Sequence, residues 1–71
     1  MLLPQTIENL ARIGANIEIC PENNLLPQTL ESIVRICVAN GGHVTISAQG
    51  LFPQTLENLA RIGRNKLTIR L

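Results

Sequence analysis

LFPQTLENLARIG, residues 51–63, is the third appearance of one phrase: residues 2–14 read LLPQTIENLARIG and residues 25–37 read LLPQTLESIVRIC. The anchor prolines, Pro4, Pro27 and Pro53, stand 23 and 26 residues apart. A fixed period of roughly 20–50 residues marks stacked supersecondary units, each too small to bury its own apolar face. The phrase recurs with the same apolar spacing each time. Leu3, Ile7, Leu10 and Ala11, then Leu26, Leu30, Ile33 and Val34, then Phe52, Leu56, Leu59 and Ala60 fall at i, i+4, i+7 and i+8, one stripe of a helix. Proline suits the first turn, where its missing N–H has no intrahelical partner and its φ is already helical. Each copy is therefore expected to open a helix at its proline. Glu8–Arg12, Glu31–Arg35 and Glu57–Arg61 are i, i+4 pairs with the acid first, each contributing about 0.2–0.5 kcal/mol on a solvated face.

Gly14 with Asn16, Asn40 with Gly41 and Gly42, and Gly63 with Asn65 follow the three stripes, and these residue types accept the left-handed conformation that ends helices. Gly41-Gly42 reads as slack taking up extra residues in the second copy. Short alternating stretches come next: Ile17-Glu18-Ile19, Val44-Thr45-Ile46-Ser47 and Leu67-Thr68-Ile69-Arg70-Leu71. Apolar residues fall on one face, polar ones on the other, and β-branched types are frequent. The fold expected is α/β, one domain over residues 1–71 made of three helix–strand repeats at about 2–20, 25–48 and 51–71. Strands joined through helices lie parallel with right-handed crossovers. The strand order expected is 1-2-3, with all helices on one face in a solenoid-like stack and a bare polar face opposite. A doubly covered parallel sheet reads instead as continuous apolar runs.

The spaced leucines and asparagine of LENLARIGRNKLT superficially match a leucine-rich repeat. The order does not: there the strand precedes the asparagine, whereas here a helix precedes it and the strand follows. No family is assigned on these residues.

A chain of 71 residues buries only about 60% of the surface its unfolded form exposes, so such domains lean on a staple, a metal or a partner subunit. The core has to come from Leu, Ile, Val and Ala, since Phe52 is the single aromatic residue. Formal charge is +1, yet residues 58–71 carry Arg61, Arg64, Lys66 and Arg70 without an acid, while residues 1–57 sum to −3. The sequence shows no basic leader followed by an apolar run and no span long enough to cross a membrane, so a cytoplasmic protein is expected. Cys20 and Cys37 occupy non-equivalent repeat positions and are expected to be reduced and structural.

The catalytic inventory is thin: no Asp, no Tyr and one histidine, His43. No spacing gathers Ser32, Ser47, a Thr or a Cys with His43 and a Glu into a nucleophile–base–orienter set. His43 lies just before strand 2, level with Asn16 and about 13 Å from Cys20 at 3.3 Å per residue, too far for a shared metal. No enzyme, metal or cofactor is expected. Instead the chain reads as a small interaction or scaffolding module that forms a homo-oligomer and binds an unidentified protein. Strand 1 is flanked by Glu18 and Glu22 and strand 3 by Lys66 and Arg70, so opposite charges flank the two sheet edges. Glu18, Glu22, Thr45, Ser47, Lys66, Thr68 and Arg70 form the candidate interface. The alternative is a small nucleic-acid-binding regulator using Arg61, Arg64, Lys66 and Arg70, although the chain offers neither an aromatic platform nor a recognition helix.

Overall fold

The computed structural model describes residues 4–20 and 25–71. Its elements run α1 (Pro4–Ile13), β1 (Ile17–Ile19), α2 (Pro27–Ala39), β2 (Val44–Ser47), α3 (Pro53–Gly63), a 3₁₀ turn (Arg64–Lys66) and β3 (Leu67–Arg70). The protein is thus a small α/β fold with three helices and a three-stranded parallel sheet in the order β1-β2-β3.

Each described helix starts at the proline of its phrase. The cause is visible at the preceding residue. Pro crowds its predecessor out of the α region, and Leu26 (φ −69°, ψ 151°) and Phe52 (φ −74°, ψ 152°) are extended. Their carbonyls still accept the first helical bonds, from Leu30 N–H at 3.0 Å and Leu56 N–H at 3.1 Å. Neither residue joins the core. Leu26 and Phe52, expected in the apolar stripe, are 64% and 76% exposed, because an extended residue ahead of the first turn does not share the direction of the helical positions that follow. Leu3 lies outside the described residues.

Register is Ile17↔Val44↔Leu67, Glu18↔Thr45↔Thr68 and Ile19↔Ile46↔Ile69, with Ser47↔Arg70 beyond. Side chains alternate along a strand, so these rows are apolar, polar, apolar and polar in turn. Ile19, Val44 and Ile46 are buried with Ile7, Ala11, Leu30, Ile33, Val34, Cys37 and Leu59 in one core. Helix α2 packs against both α1 and α3.

The three phrases leave their helices in different ways. From helix proline to the first strand residue is 13 positions in the first unit, 17 in the second and 14 in the third. Gly14 (φ +88°) and Gly41 (φ +83°) take the left-handed exit, as their residue type predicts. Gly63 does not. It stays helical at φ −85°, ψ −31°, and Arg64 adopts φ 53°, ψ −127° in its place. A Cβ on Gly63 would lie 2.5 Å from Leu67 Cβ and 3.2 Å from Val34 Cγ1, so this glycine permits close packing of α3 on α2 and β3. Gly42 is likewise not slack. A Cβ there would meet Ala15 O and Cys37 Sγ, each at 2.5 Å, which makes it a tight seam between the exits of α1 and α2.

Candidate interaction surface

The polar rows of the sheet set Glu18, Thr45 and Thr68 side by side, with Ser47 and Arg70 one row further on. Glu18, Thr68 and Arg70 are exposed and Thr45 and Ser47 half-buried. Neighbouring strands are about 4.8 Å apart, so β1 and β3 stand roughly 10 Å from one another. Only long side chains reach across that gap. Arg70 does, and its Nη1 lies 2.6 Å from Glu18 Oε2. The opposite charges expected at opposite edges therefore meet inside one chain, over Thr45. Both groups are at least half exposed, and such a pair is worth about 0–1 kcal/mol.

His43 adds a second cross-strand tie. Its N–H donates to Asn16 Oδ1 at 3.1 Å, its carbonyl accepts from Ile17 N–H at 2.8 Å, and its Nε2 lies 2.7 Å from Thr68 Oγ1. Two residues before Thr45, it shares that residue's sheet face. Asn16, Ile17, Glu18, His43 and Thr45 line a shallow depression there. A second cavity of about 270 Å³ opens at the carboxyl ends of β1 and β2, lined by buried Ile19, Leu30 and Ile46 together with Cys20 and Ser47. No motif in the sequence marks this cavity. Its signal was the parallel topology, which opens a crevice at the carboxyl ends of strands.

The structure separates the four residues of the basic tail. Arg61 Nη2 lies 3.7 Å from Glu57 Oε1, and Arg61 Nη1 donates to Asn58 Oδ1 at 3.1 Å. Arg70 serves Glu18. Arg64 and Lys66 are exposed at the two ends of the 3₁₀ turn. Glu22 falls outside the described residues.

The helix surfaces carry a small repeated network. In α1, Asn9 Oδ1 accepts from Gln5 Nε2 at 3.2 Å and from Arg12 Nη1 at 2.8 Å, with Glu8 4.0 Å from Arg12. In α3, Asn58 accepts from Gln54 and Arg61 in the same way. Ser32 replaces the asparagine in α2, and among the described residues Glu31 and Arg35 form no ion pair. The expected third pair is missing where its arginine lacks the asparagine acceptor.

The two cysteines are free but unlike each other. Cys37 is buried, and its thiol donates to Ala15 O at 3.2 Å. Burial raises its pKa above the ordinary thiol value, which keeps the sulfur protonated and unreactive. Cys20 is exposed, not the small core residue expected.

Among the described residues no group of three or more His, Cys, Asp or Glu gathers at metal-ligand distances, and no helix is long and apolar enough to cross a membrane. No protein-family model, curated protein or solved structure matches the chain.

Proposed function

We propose that this chain is a small interaction or scaffolding module without catalytic activity of its own, and that its working form is a homo-oligomer continued through the sheet edges. In this reading the three units form a solenoid-like stack with all helices on one sheet face, and the polar face opposite is left for a protein partner. The observation that carries it is the unfinished sheet. Strands β1 and β3 each pair on one side only among the described residues, and an unpaired parallel edge is a template for another strand. Contact of α2 with both neighbouring helices and burial of alternate strand residues support the stack. A head-to-tail contact of this kind closes into a ring or runs on as a filament.

Absolute mass by light scattering after size exclusion tests the reading, with refractive-index detection because the chain has neither Trp nor Tyr. A discrete multiple of 7.8 kDa that falls apart in Lys66→Glu/Arg70→Glu is the expected outcome. Lys66→Glu alone is the control for the internal pair, since it reverses an edge charge and leaves Glu18–Arg70 intact. A monomer at every concentration overturns the proposal. Duplex binding at low salt that disappears in Arg64→Ala/Lys66→Ala would favour the nucleic-acid alternative. The internal partners of Arg61 and Arg70 weigh against it, because they leave fewer cations for the phosphates on which such binding depends.

A further inference from the structure

The internal repeat lets equivalent residues be compared in three settings: a helix with a neighbour only after it, between two neighbours, and with a neighbour only before it. The sixth residue after each helix proline is Leu10, Ile33 or Leu59. Leu10 is 37% exposed on α1, whereas Ile33 and Leu59 are fully buried. The seventh residue is Ala11, Val34 or Ala60. Here the order reverses: Ala11 and Val34 are fully buried and Ala60 on α3 is exposed.

A position buried in every helix except the first must face the preceding helix. One buried in every helix except the last must face the following one. Val34 confirms this directly, since its Cγ1 lies where a side chain on Gly63 of α3 would sit. The second and ninth positions share the side of the sixth, at helical spacing, and they follow its trend. Thr6 is exposed, Thr29 half-buried and Thr55 buried; Ile13 is 78% exposed, Ile36 and Ile62 half-buried.

We infer that the exposed flanks of α1 and α3 are the two halves of one further helix–helix junction, and that a second copy of this chain fills it by seating its α1 against α3. The inference rests on the self-association reading and specifies its helical half. Side-chain size agrees. At each internal junction the rear flank offers the smaller residue, Ala11 or Val34, and the front flank the larger, Ile33 or Leu59. Large residues set against small ones let packed layers interdigitate. Ala60 against Leu10 continues the series, and the same step brings the outer edge of β3 to the outer edge of the next β1.

The geometry also gives the assembly its shape. Packed helices stand about 8–10 Å apart, whereas paired strands stand about 4.8 Å apart. A stack with helices on one side only must therefore curve, helices outward, with Thr45, Ser47 and Thr68 along the inner wall.

The test is a cross-link in trans, in a Cys20→Ser background that removes the exposed native thiol. Leu10→Cys and Ala60→Cys variants, each checked for folding by far-UV circular dichroism, are oxidised alone and mixed. Expected is a disulfide dimer at least tenfold more abundant in the mixture than in either variant alone, and a ladder of multimers from the chain carrying both. Ala60→Arg, at an exposed site, is expected to keep the monomer's thermal midpoint and abolish the assembly. An oligomeric parent chain that neither cross-links nor responds to Ala60→Arg overturns the helical junction and leaves edge pairing standing. Leu10→Cys dimers as abundant as mixed dimers would indicate a two-fold contact and overturn it as well. A monomeric parent chain removes both readings.

Discussion

The middle unit and the third unit share a phrase but not an environment. Of the ten buried apolar residues described, Leu30, Ile33, Val34, Cys37, Val44 and Ile46 belong to the middle unit, and only Leu59 to the third. β2 alternates buried and half-buried residues; β3 has none fully buried. The composition of the two phrases does not account for this. Leu56, Leu67 and Ile69 are as apolar as the residues they correspond to, but they have a neighbour on one side only. Burial here follows position more than residue type, because β2 lies between two strands and α2 contacts a helix on each side.

The largest effect should come from testing that contrast at one repeat position. Ile33→Ala removes a fully buried side chain, and such truncations cost about 2–5 kcal/mol. A core this small supplies no more than about 3–5 kcal/mol, so this variant is expected to be largely unfolded at 25 °C. Leu10→Ala, at the equivalent position of α1, is expected to cost only about 1 kcal/mol in the monomer, where part of its surface already meets water. Urea titration followed by circular dichroism at low protein concentration reads both. Equal losses would break the comparison. Raising the protein concentration sharpens it, since Leu10→Ala becomes more costly only if Leu10 is covered in the assembly.

Much of the architecture was legible in the letters. Three proline-led helices, three short alternating strands and their parallel order follow from the repeated phrase and from the crossover rule, and strands β1 and β2 begin and end where alternation places them. The phrase could not reveal which copies of Leu10 and Ala60 lack a neighbour, because that is decided by the order of the helices, with α2 contacting both α1 and α3. Nor could it distinguish glycines that turn the chain from glycines that let it pass closely. Gly63 and Gly14 have the same sequence neighbours on their N-terminal side, yet one stays helical and the other is left-handed. The candidate surface was legible as a row of polar residues. Its internal closure was not, since the Glu18–Arg70 pair is set by the register of two non-adjacent strands.

A second pair of variants probes the exits. Gly14 combines φ +88° with a Cβ position only 2.5 Å from Asn40 O. Gly14→Ala therefore strains both its own backbone and the α1–α2 joint, with an expected cost of about 2 kcal/mol or more. Gly41 has nearly the same φ, +83°, but nothing lies within 4 Å of its Cβ position. Gly41→Ala should cost only the left-handed penalty, about 1 kcal/mol. Urea midpoints give the difference. If the two glycines tolerate alanine equally well, the close approach of the two helix exits is not what holds the first unit to the second.

The smallest expected change is a gain, and it lies in the third unit. Arg64 is the one described non-glycine residue with a positive φ, and at φ 53°, ψ −127° it sits in a region that glycine enters freely and other residues do not. It is held there because α3 keeps Gly63 in the helix and the chain must still turn into β3 through the 3₁₀ segment. Relief of such strain is worth about 1–3 kcal/mol, against about 0.5–1 kcal/mol for the extra freedom glycine gives the unfolded chain. Arg64→Gly is therefore expected to raise stability by about 1 kcal/mol, read as a shift of the urea midpoint. Arg64→Ala, which removes the charge and keeps the constraint, should leave it nearly unchanged. A loss with glycine would mean that the arginine side chain contributes more than its backbone costs, and the third unit would then be fastened by its exit as well as by its core.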